Sequence, residues 1–168
     1  MSKPPHPFSF PDFRAYFVAR LSSTLAQMAM VIVIGWQVYD LARSQLGMSP
    51  KEAAFQLGLI GVAQFAPLAA LTLVVGWVAD RIDRRWIARA AVGLEALCAG
   101  TLAILTATGT INLPALFVVA ALLGVARAFA SPALQALSPN LVPPAVLPTA
   151  IAVSSIAWQS GSVLGPAM

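Results

Sequence analysis

Two charged residues inside long apolar stretches, Glu95 and Arg127, are the strongest candidates for chemistry in this sequence. Glu95 is the only charged residue between Ala90 and Ala126. A carboxylate deep in an apolar segment of membrane length is a functional candidate by default, because burying it is costly, and it could take up and release a proton. The alternative is an acid near the membrane surface that bonds to Arg89 or to water.

Arg127 follows in the next apolar stretch, about two helical turns before that stretch ends. An arginine at mid-membrane costs at least ~2.5 kcal/mol on insertion scales. We therefore expect its guanidinium group to face a cavity or a partner. The alternative is that the long side chain extends along the helix to reach the membrane surface.

A dense cluster of charge separates two apolar stretches. Residues 76–85 read GWVADRIDRR, and the charged residues here are Asp80, Arg81, Asp83, Arg84 and Arg85, followed by Arg89. A tight charged turn between apolar segments of membrane length predicts a hairpin of two spanning helices. Gly76 allows close helix approach, and Asp80 can pair with a nearby guanidinium group. The alternative is that these charges only orient the chain in the membrane.

Other polar and small residues allow two interpretations each. Five polar side chains could line a substrate path or could form hydrogen bonds between packed helices: Ser22, Ser23, Gln27, Gln37 and Gln64. Gly161 and Gly165, four residues apart, form a close-packing motif, for which ordinary helix association is the simpler reading. Pro166 follows directly and predicts a kink.

Several chemistries have no support in the sequence. His6 is the only histidine and Cys98 the only cysteine, so no cluster of metal ligands is predicted. No glycine-rich phosphate loop and no Ser/His/Asp set is present. We predict no cofactor, no metal and no enzymatic activity.

The composition indicates an integral membrane protein. The chain is 59% hydrophobic and 10% charged, with a mean hydropathy of +0.82, whereas a soluble domain carries about 25% charged residues. The net charge of +4 does not indicate nucleic-acid binding, because the basic residues cluster at the ends of apolar runs, as orientation signals do.

Five apolar segments are long enough to span a bilayer as helices, which need roughly 20 residues each. They cover residues 15–39, 53–79, 86–108, 113–134 and 148–168, after an N-terminal tail of residues 1–12. With the N-terminus in the cytoplasm, seven basic residues lie inside (Lys3, Arg14, Arg20, Arg81, Arg84, Arg85 and Arg89) and two outside (Arg43 and Lys51). This bias agrees with the positive-inside rule and predicts a cytoplasmic tail.

The charged turn resembles the loop between the second and third helices of major facilitator superfamily transporters. WQVYDLARS, GLIGVAQFAP and RAFASPALQALSPNLVP resemble the enterobactin-exporter-like branch of that family. The resemblance implies an all-α membrane fold in which the chain supplies five helices of the N-terminal six-helix half. It also implies that Gly76, Asp80, Arg81, Arg84 and Arg85 form a gating loop that holds the two halves together in one state. Arg127 is similar to a basic residue of the fourth helix that acts in proton coupling.

The function expected from this resemblance is transport across the inner (plasma) membrane. The chain would be a proton-linked exporter of small molecules, such as siderophores or drugs, with the lipid bilayer, its substrate and the proton as partners. Each half of the major facilitator fold has six helices, so we expect a C-terminal half that this chain lacks. The alternative is a truncated membrane fragment that does not transport.

Overall fold

The computed structural model describes residues 6–167 of the chain. These residues form five α-helices, which are α1 (Pro11–Asp40), α2 (Pro50–Ala79), α3 (Arg84–Ala107), α4 (Leu113–Leu137) and α5 (Leu147–Leu164). Short 3-10 turns precede α1, separate α4 from α5 and follow α5. The expectation of an all-α fold with five helices is confirmed. Residues 1–5 of the predicted tail, with Lys3, and Met168 of the predicted fifth span lie outside the described residues.

Four of the five helices within residues 6–167 are long and apolar enough to cross a membrane, and α5 is not among them. The first of these spans runs from Pro11 to Gln45, because α1 continues without a break into a π-helical turn, Leu41–Gln45. It is therefore longer at both ends than the predicted segment 15–39. The 18 residues of α5 include four serines and one glutamine, and these polar residues reduce its hydropathy.

Local sequence signals set the helix ends. Ser49 and Glu52 form a capping box at the start of α2, with the Ser49 side chain accepting from the Glu52 N–H and the Glu52 carboxylate accepting from the Ser49 N–H. The Asp83 side chain accepts from the backbone N–H of Arg85 at 2.8 Å and caps α3. The Asn112 side chain caps α4 by accepting from Ala115 N–H at 2.9 Å. The turn from Asp80 to Asp83 is thus as tight as its sequence predicts.

The start of α1, the α2–α3 turn, the end of α4 and the start of α5 lie at one end of the bundle, which we call the charged end. A buried cluster there joins α1, α3, α4 and α5 and includes Phe13, Ile87, Leu134, Val146 and Ala150. A second cluster towards the other end joins the first four helices and includes Ile34, Val38, Ile60, Leu102 and Leu116.

The most extensive helix contacts are those of α4 with α2 and with α3, while α5 packs on α1. Although α2 and α3 are joined by a tight turn, they contact each other little and both lie against α4. The contact of α4 with α2 is closest at Gly124, where a Cβ atom would overlap the backbone carbonyl of Gln64. Only a glycine leaves room for this approach of two helix backbones.

Candidate functional site

Glu95 lies on the buried face of α3, with only 4% of its surface exposed. The other buried residues of this helix recur every three or four positions along the same face, at Ile87, Ala88, Ala91, Cys98 and Leu102. This spacing is that of one face of an α-helix. Glu95 therefore stands where an apolar residue would be expected, between the two buried clusters that α3 joins.

Two side chains of α1 donate hydrogen bonds to the Glu95 carboxylate. The Ser23 hydroxyl donates to Oε2 at 2.6 Å, and the Gln27 side-chain amide donates to Oε1. The same Gln27 amide also donates to the Ser23 Oγ at 3.1 Å. Each carboxylate oxygen thus has a donor from α1, as a buried polar group requires.

Arg127 of α4 also contacts α1, through the backbone carbonyl of Gln27. Its Nη2 donates to the Gln27 carbonyl oxygen at 2.7 Å. Within residues 6–167 its Nε is buried and has no hydrogen-bond partner. We refer to Ser23, Gln27, Glu95 and Arg127 as the polar network; it connects α1, α3 and α4.

Two cavities open beside the polar network. A cavity of about 40 Å³ between α1, α4 and α5 is lined by Arg20, Ser23, Thr24, Gln27, Ser131, Leu134 and Trp158. A cavity of about 370 Å³ between α2 and α4 is lined by Arg127, together with Thr72, Gly76, Ser131 and other residues. The smaller cavity is polar and large enough to admit water. Because Ser23 and Gln27 line it, both donors to the Glu95 carboxylate border a polar space.

The sequence-based site predictions do not include Arg20, Thr24 and Tyr16. Arg20 Nη1 donates to the Tyr16 hydroxyl at 2.9 Å, and its Nε is buried and without a partner within residues 6–167. The Thr24 hydroxyl donates to the Arg20 carbonyl at 2.8 Å. The signal available in the sequence is the polar stripe at positions 16, 20, 23, 24 and 27, which falls on one face of a helix.

The structure places the polar candidates in different environments. Glu95 bonds to α1 rather than to Arg89, whose guanidinium carbon lies 5.2 Å from the centroid of the Trp86 ring. The Gln37 side chain donates to the Thr106 hydroxyl at 2.8 Å and so connects α1 with α3. Ser22 lies outside the polar network although it neighbours Ser23 in sequence.

The residues of the predicted gating loop are exposed at the charged end. The Asp80 N–H donates to the Gly76 carbonyl at 3.1 Å and ends α2, while its side chain is exposed, as are those of Arg84 and Arg85. The guanidinium carbon of Arg81 lies 4.1 Å from the centroid of the Trp77 ring. A Cβ at Gly76 would meet no atom within 4 Å in the described part of the chain, so the close approach expected at Gly76 is not made by these five helices.

Gly161 and Gly165 both face α1. A Cβ at Gly161 would stand 2.7 Å from the Thr24 Cβ, and one at Gly165 would stand 3.0 Å from the Leu25 carbonyl oxygen. Pro166 lies in the 3-10 turn Gly165–Ala167 that follows α5. The close contact at Gly161 adjoins the polar network, since Thr24 follows Ser23 in α1.

The arrangement can bind and release a proton at a site shared by three helices. A carboxylate accepts two hydrogen bonds and carries a charge, whereas the protonated acid is neutral and has an O–H to donate. No group of three or more metal-ligating residues was found within residues 6–167. A buried acid with an arginine close by, in a bundle of apolar helices, defines a membrane protein with an ionisable interior.

The family model described as Major Facilitator Superfamily matches residues 13–168. This match covers nearly the whole chain, and the chain therefore belongs to the Major Facilitator Superfamily, a family of membrane transporters. No curated protein and no solved structure matched the chain.

Proposed function

We propose that this chain belongs to a proton-linked exporter of small molecules, such as siderophores or drugs, that works by alternating access. Glu95 is the proton site, and Arg127 is the positive charge that responds to its state. The single observation that carries the proposal is the buried Glu95 carboxylate, which accepts hydrogen bonds from Ser23 and Gln27 of α1 while Arg127 of α4 donates to the Gln27 carbonyl.

Protonation of Glu95 would alter how these helices hold together. Ionised Glu95 offers two acceptor oxygens to the donors of α1, and its negative charge compensates the positive charge of Arg127 in a poorly hydrated interior. When Glu95 is protonated, that compensation is lost, and one of its oxygens becomes a donor facing the donors of α1. The relative positions of α1, α3 and α4 then have different energies in the two states, which is what coupling of a proton to a conformational change requires.

The exposed turn between α2 and α3 is proposed to act as the gate. Its residues Gly76, Asp80, Arg81, Arg84 and Arg85 would contact a further six-helix half of the transporter in one of its states. The charge of Asp80 and the open space at Gly76 support this role, because both are available to a partner. In this proposal the charged end faces the cytoplasm, and the protein resides in the inner (plasma) membrane.

The test is an efflux assay in sealed proteoliposomes that contain the chain together with the six-helix half that its gate would contact, with ethidium or a catechol siderophore as probe and a pH dye in the lumen. An imposed pH gradient should drive probe movement with a matching proton flux. The Glu95→Gln variant should abolish that coupling, because glutamine cannot titrate. The variant should still fold. The Ser23 hydroxyl can accept a hydrogen bond from the amide N–H introduced at position 95, and the carbonyl oxygen of the same amide can accept one from the Gln27 side chain.

Glu52→Gln is the matched control, since Glu52 is an exposed carboxylate whose capping role glutamine can fill. It should leave both fluxes unchanged.

Asp80→Asn should lower probe movement without reducing membrane insertion, because it removes the charge of the gate. Undiminished proton flux in the Glu95→Gln variant would contradict the proton site, and undiminished efflux in Asp80→Asn would contradict the gate.

The second candidate is a membrane fragment that does not transport. It is favoured by the number of helices in residues 6–167, because these five helices cannot by themselves enclose a cavity that lies between two six-helix halves. This candidate predicts that the wild-type chain inserts into the bilayer and moves neither probe nor protons in the same assay.

A further inference from the structure

An apolar groove opens between α2 and α3 near the charged end. The two helices separate after their turn, and α4 forms the floor of the space between them. The groove has a volume of about 420 Å³, and its lining includes Val78, Ile82, Trp86, Ala90, Leu94 and Phe129. All its lining residues are aliphatic or aromatic, so the groove surface is almost entirely apolar and offers little to a water molecule or a polar ligand.

The α2–α3 turn and the first turns of α3, which supply Ile82 and Trp86 to the groove and which we call its mouth, carry a net positive charge. Four arginines, Arg81, Arg84, Arg85 and Arg89, accompany two aspartates, Asp80 and Asp83. Asp83 is already engaged in capping α3. Arg85 and Arg89 also line a cavity on the α1 side of α3, in which Asp12 is the only acid.

Two of the arginines are held over exposed indole rings, and one of these rings, that of Trp86, lines the groove. The Arg81 guanidinium carbon is 4.1 Å from the Trp77 ring centroid, and that of Arg89 is 5.2 Å from the Trp86 ring centroid. Trp77 is 59% exposed and Trp86 is 64% exposed. Tryptophan side chains of spanning helices concentrate where the hydrocarbon meets the headgroups, so these stacked pairs place their guanidinium groups at the level of lipid phosphates.

We propose that the groove binds an anionic phospholipid, with one acyl chain between α2 and α3 and the phosphate against Arg81 and Arg89. The apolar lining matches the hydrocarbon, and the positive mouth matches the headgroup charge. Basic sites between spanning helices bind anionic headgroups in this way. The proposal depends on insertion in a bilayer and not on proton-linked transport, so either can fail without the other.

The headgroup part is tested by native mass spectrometry of the full chain, released from nanodiscs with equal amounts of phosphatidylglycerol and phosphatidylcholine. Wild type should retain phosphatidylglycerol preferentially. Arg81→Gln and Arg89→Gln should each reduce the preference about fivefold, the factor typical of one basic residue at a lipid surface. The double variant Arg43→Gln/Lys51→Gln removes two positive charges near the other end and should not change it.

The groove part is tested by fluorescence in a variant whose other tryptophans, at positions 36, 77 and 158, are replaced by phenylalanine. Phosphatidylglycerol with brominated acyl chains, added as a minor fraction, should quench Trp86 more than its fraction in the bilayer predicts. Ala90→Phe should remove this excess, because Ala90 is an exposed residue on the groove wall.

Three outcomes would overturn the proposal. Equal retention of the two lipids would show that the site does not select an anionic headgroup. A preference that survives both arginine substitutions would place the selection elsewhere. Excess quenching that persists in Ala90→Phe would show that the acyl chain does not occupy the groove.

Discussion

Gln27 contacts two charged residues through two different groups, its side-chain amide and its backbone carbonyl. The amide can be removed by substitution, whereas the carbonyl that accepts from Arg127 is present in every residue type. The two halves of the polar network can therefore be separated experimentally. Loss of the amide leaves the buried carboxylate with Ser23 as its remaining donor from α1.

Gln27→Met removes a part-buried hydrogen bond to Glu95. It should lower the free energy of unfolding by about 1–2 kcal/mol, between the values typical of hydrogen bonds across membrane helices and of those to charged groups. Gln37→Met is the matched control on the same helix. The hydrogen bond from Gln37 to Thr106 is exposed, and within residues 6–167 the Gln37 Oε1 is buried without a partner. Loss of the Gln37 amide should therefore cost about 0.5 kcal/mol or less. Equilibrium unfolding in mixed micelles measures both, and equal losses would show that the Glu95 contact adds nothing.

The sequence singles out Glu95 and Arg127 because a charge in a long apolar stretch is rare whatever its surroundings. It does not single out Ser23 and Gln27 to the same degree, since isolated polar residues in spanning helices commonly make packing contacts. Which of them meets Glu95 depends on the rotation of α1 against α3. That rotation is set by the packing of all the helices and not by the local sequence of either one.

Among the helices, α4 is the one on which the arrangement depends, because it contacts both α2 and α3. Its contact surface contains many small residues, with Gly124, Ala126, Ala128, Ala130 and Ala133 all buried. Small side chains let helix backbones approach, which is the main source of attraction between helices in a bilayer. At Gly124 the neighbour is a backbone carbonyl, which cannot rotate away as a side chain can.

Gly124→Ala should therefore destabilise the bundle by about 1–3 kcal/mol, the usual cost of overpacking, because α2 and α4 must move apart. Gly93→Ala is the control, since a Cβ there would meet no atom within 4 Å in the described chain. That change should be neutral or should stabilise α3 by up to ~1 kcal/mol through helix propensity. Thermal unfolding of the two variants in detergent gives the comparison, and equal melting temperatures would contradict the close contact.

The helix positions follow from the sequence because uninterrupted apolar runs and capping residues act locally. Proline at the first position of α1, α2 and α5, or one residue later, marks where each helix begins. The π-helical extension of α1 carries no comparable signal. The separation of α2 and α3 could also not be predicted from the sequence. A tight turn determines only how the two helices are connected, and their packing depends on the helices around them.

For the molecule as a whole, the charge distribution is strongly uneven. Arg14, Arg20 and the arginines of the α2–α3 turn lie towards the charged end, and Arg43 and Lys51 lie at the other. The structure brings the start of α1 and the start of α3 to one cavity, so these positive charges share one end. The side of the membrane that this end faces stays a prediction of the positive-inside rule.

Cysteine labelling tests that side. Cys98 is 3% exposed, and its replacement by serine gives a background for single cysteines at the exposed Asp80, at the start of the α2–α3 turn, and at Thr110, in the α3–α4 turn. A membrane-impermeant maleimide should label Thr110→Cys in intact spheroplasts and Asp80→Cys only after lysis, because the charged end is expected inside. The reverse pattern would invert the proposed orientation.

The dependence of α2 and α3 on α4 has a consequence for biosynthesis. A ribosome delivers α2 and α3 to the membrane before α4 exists, and the two have little surface in common. Helices in a bilayer first insert and then associate, so the nascent hairpin would remain splayed in the translocon's lipid environment until α4 emerges. An insertion intermediate truncated after α3 should thus be open to chaperones and proteases, and synthesis of α4 should end that vulnerability.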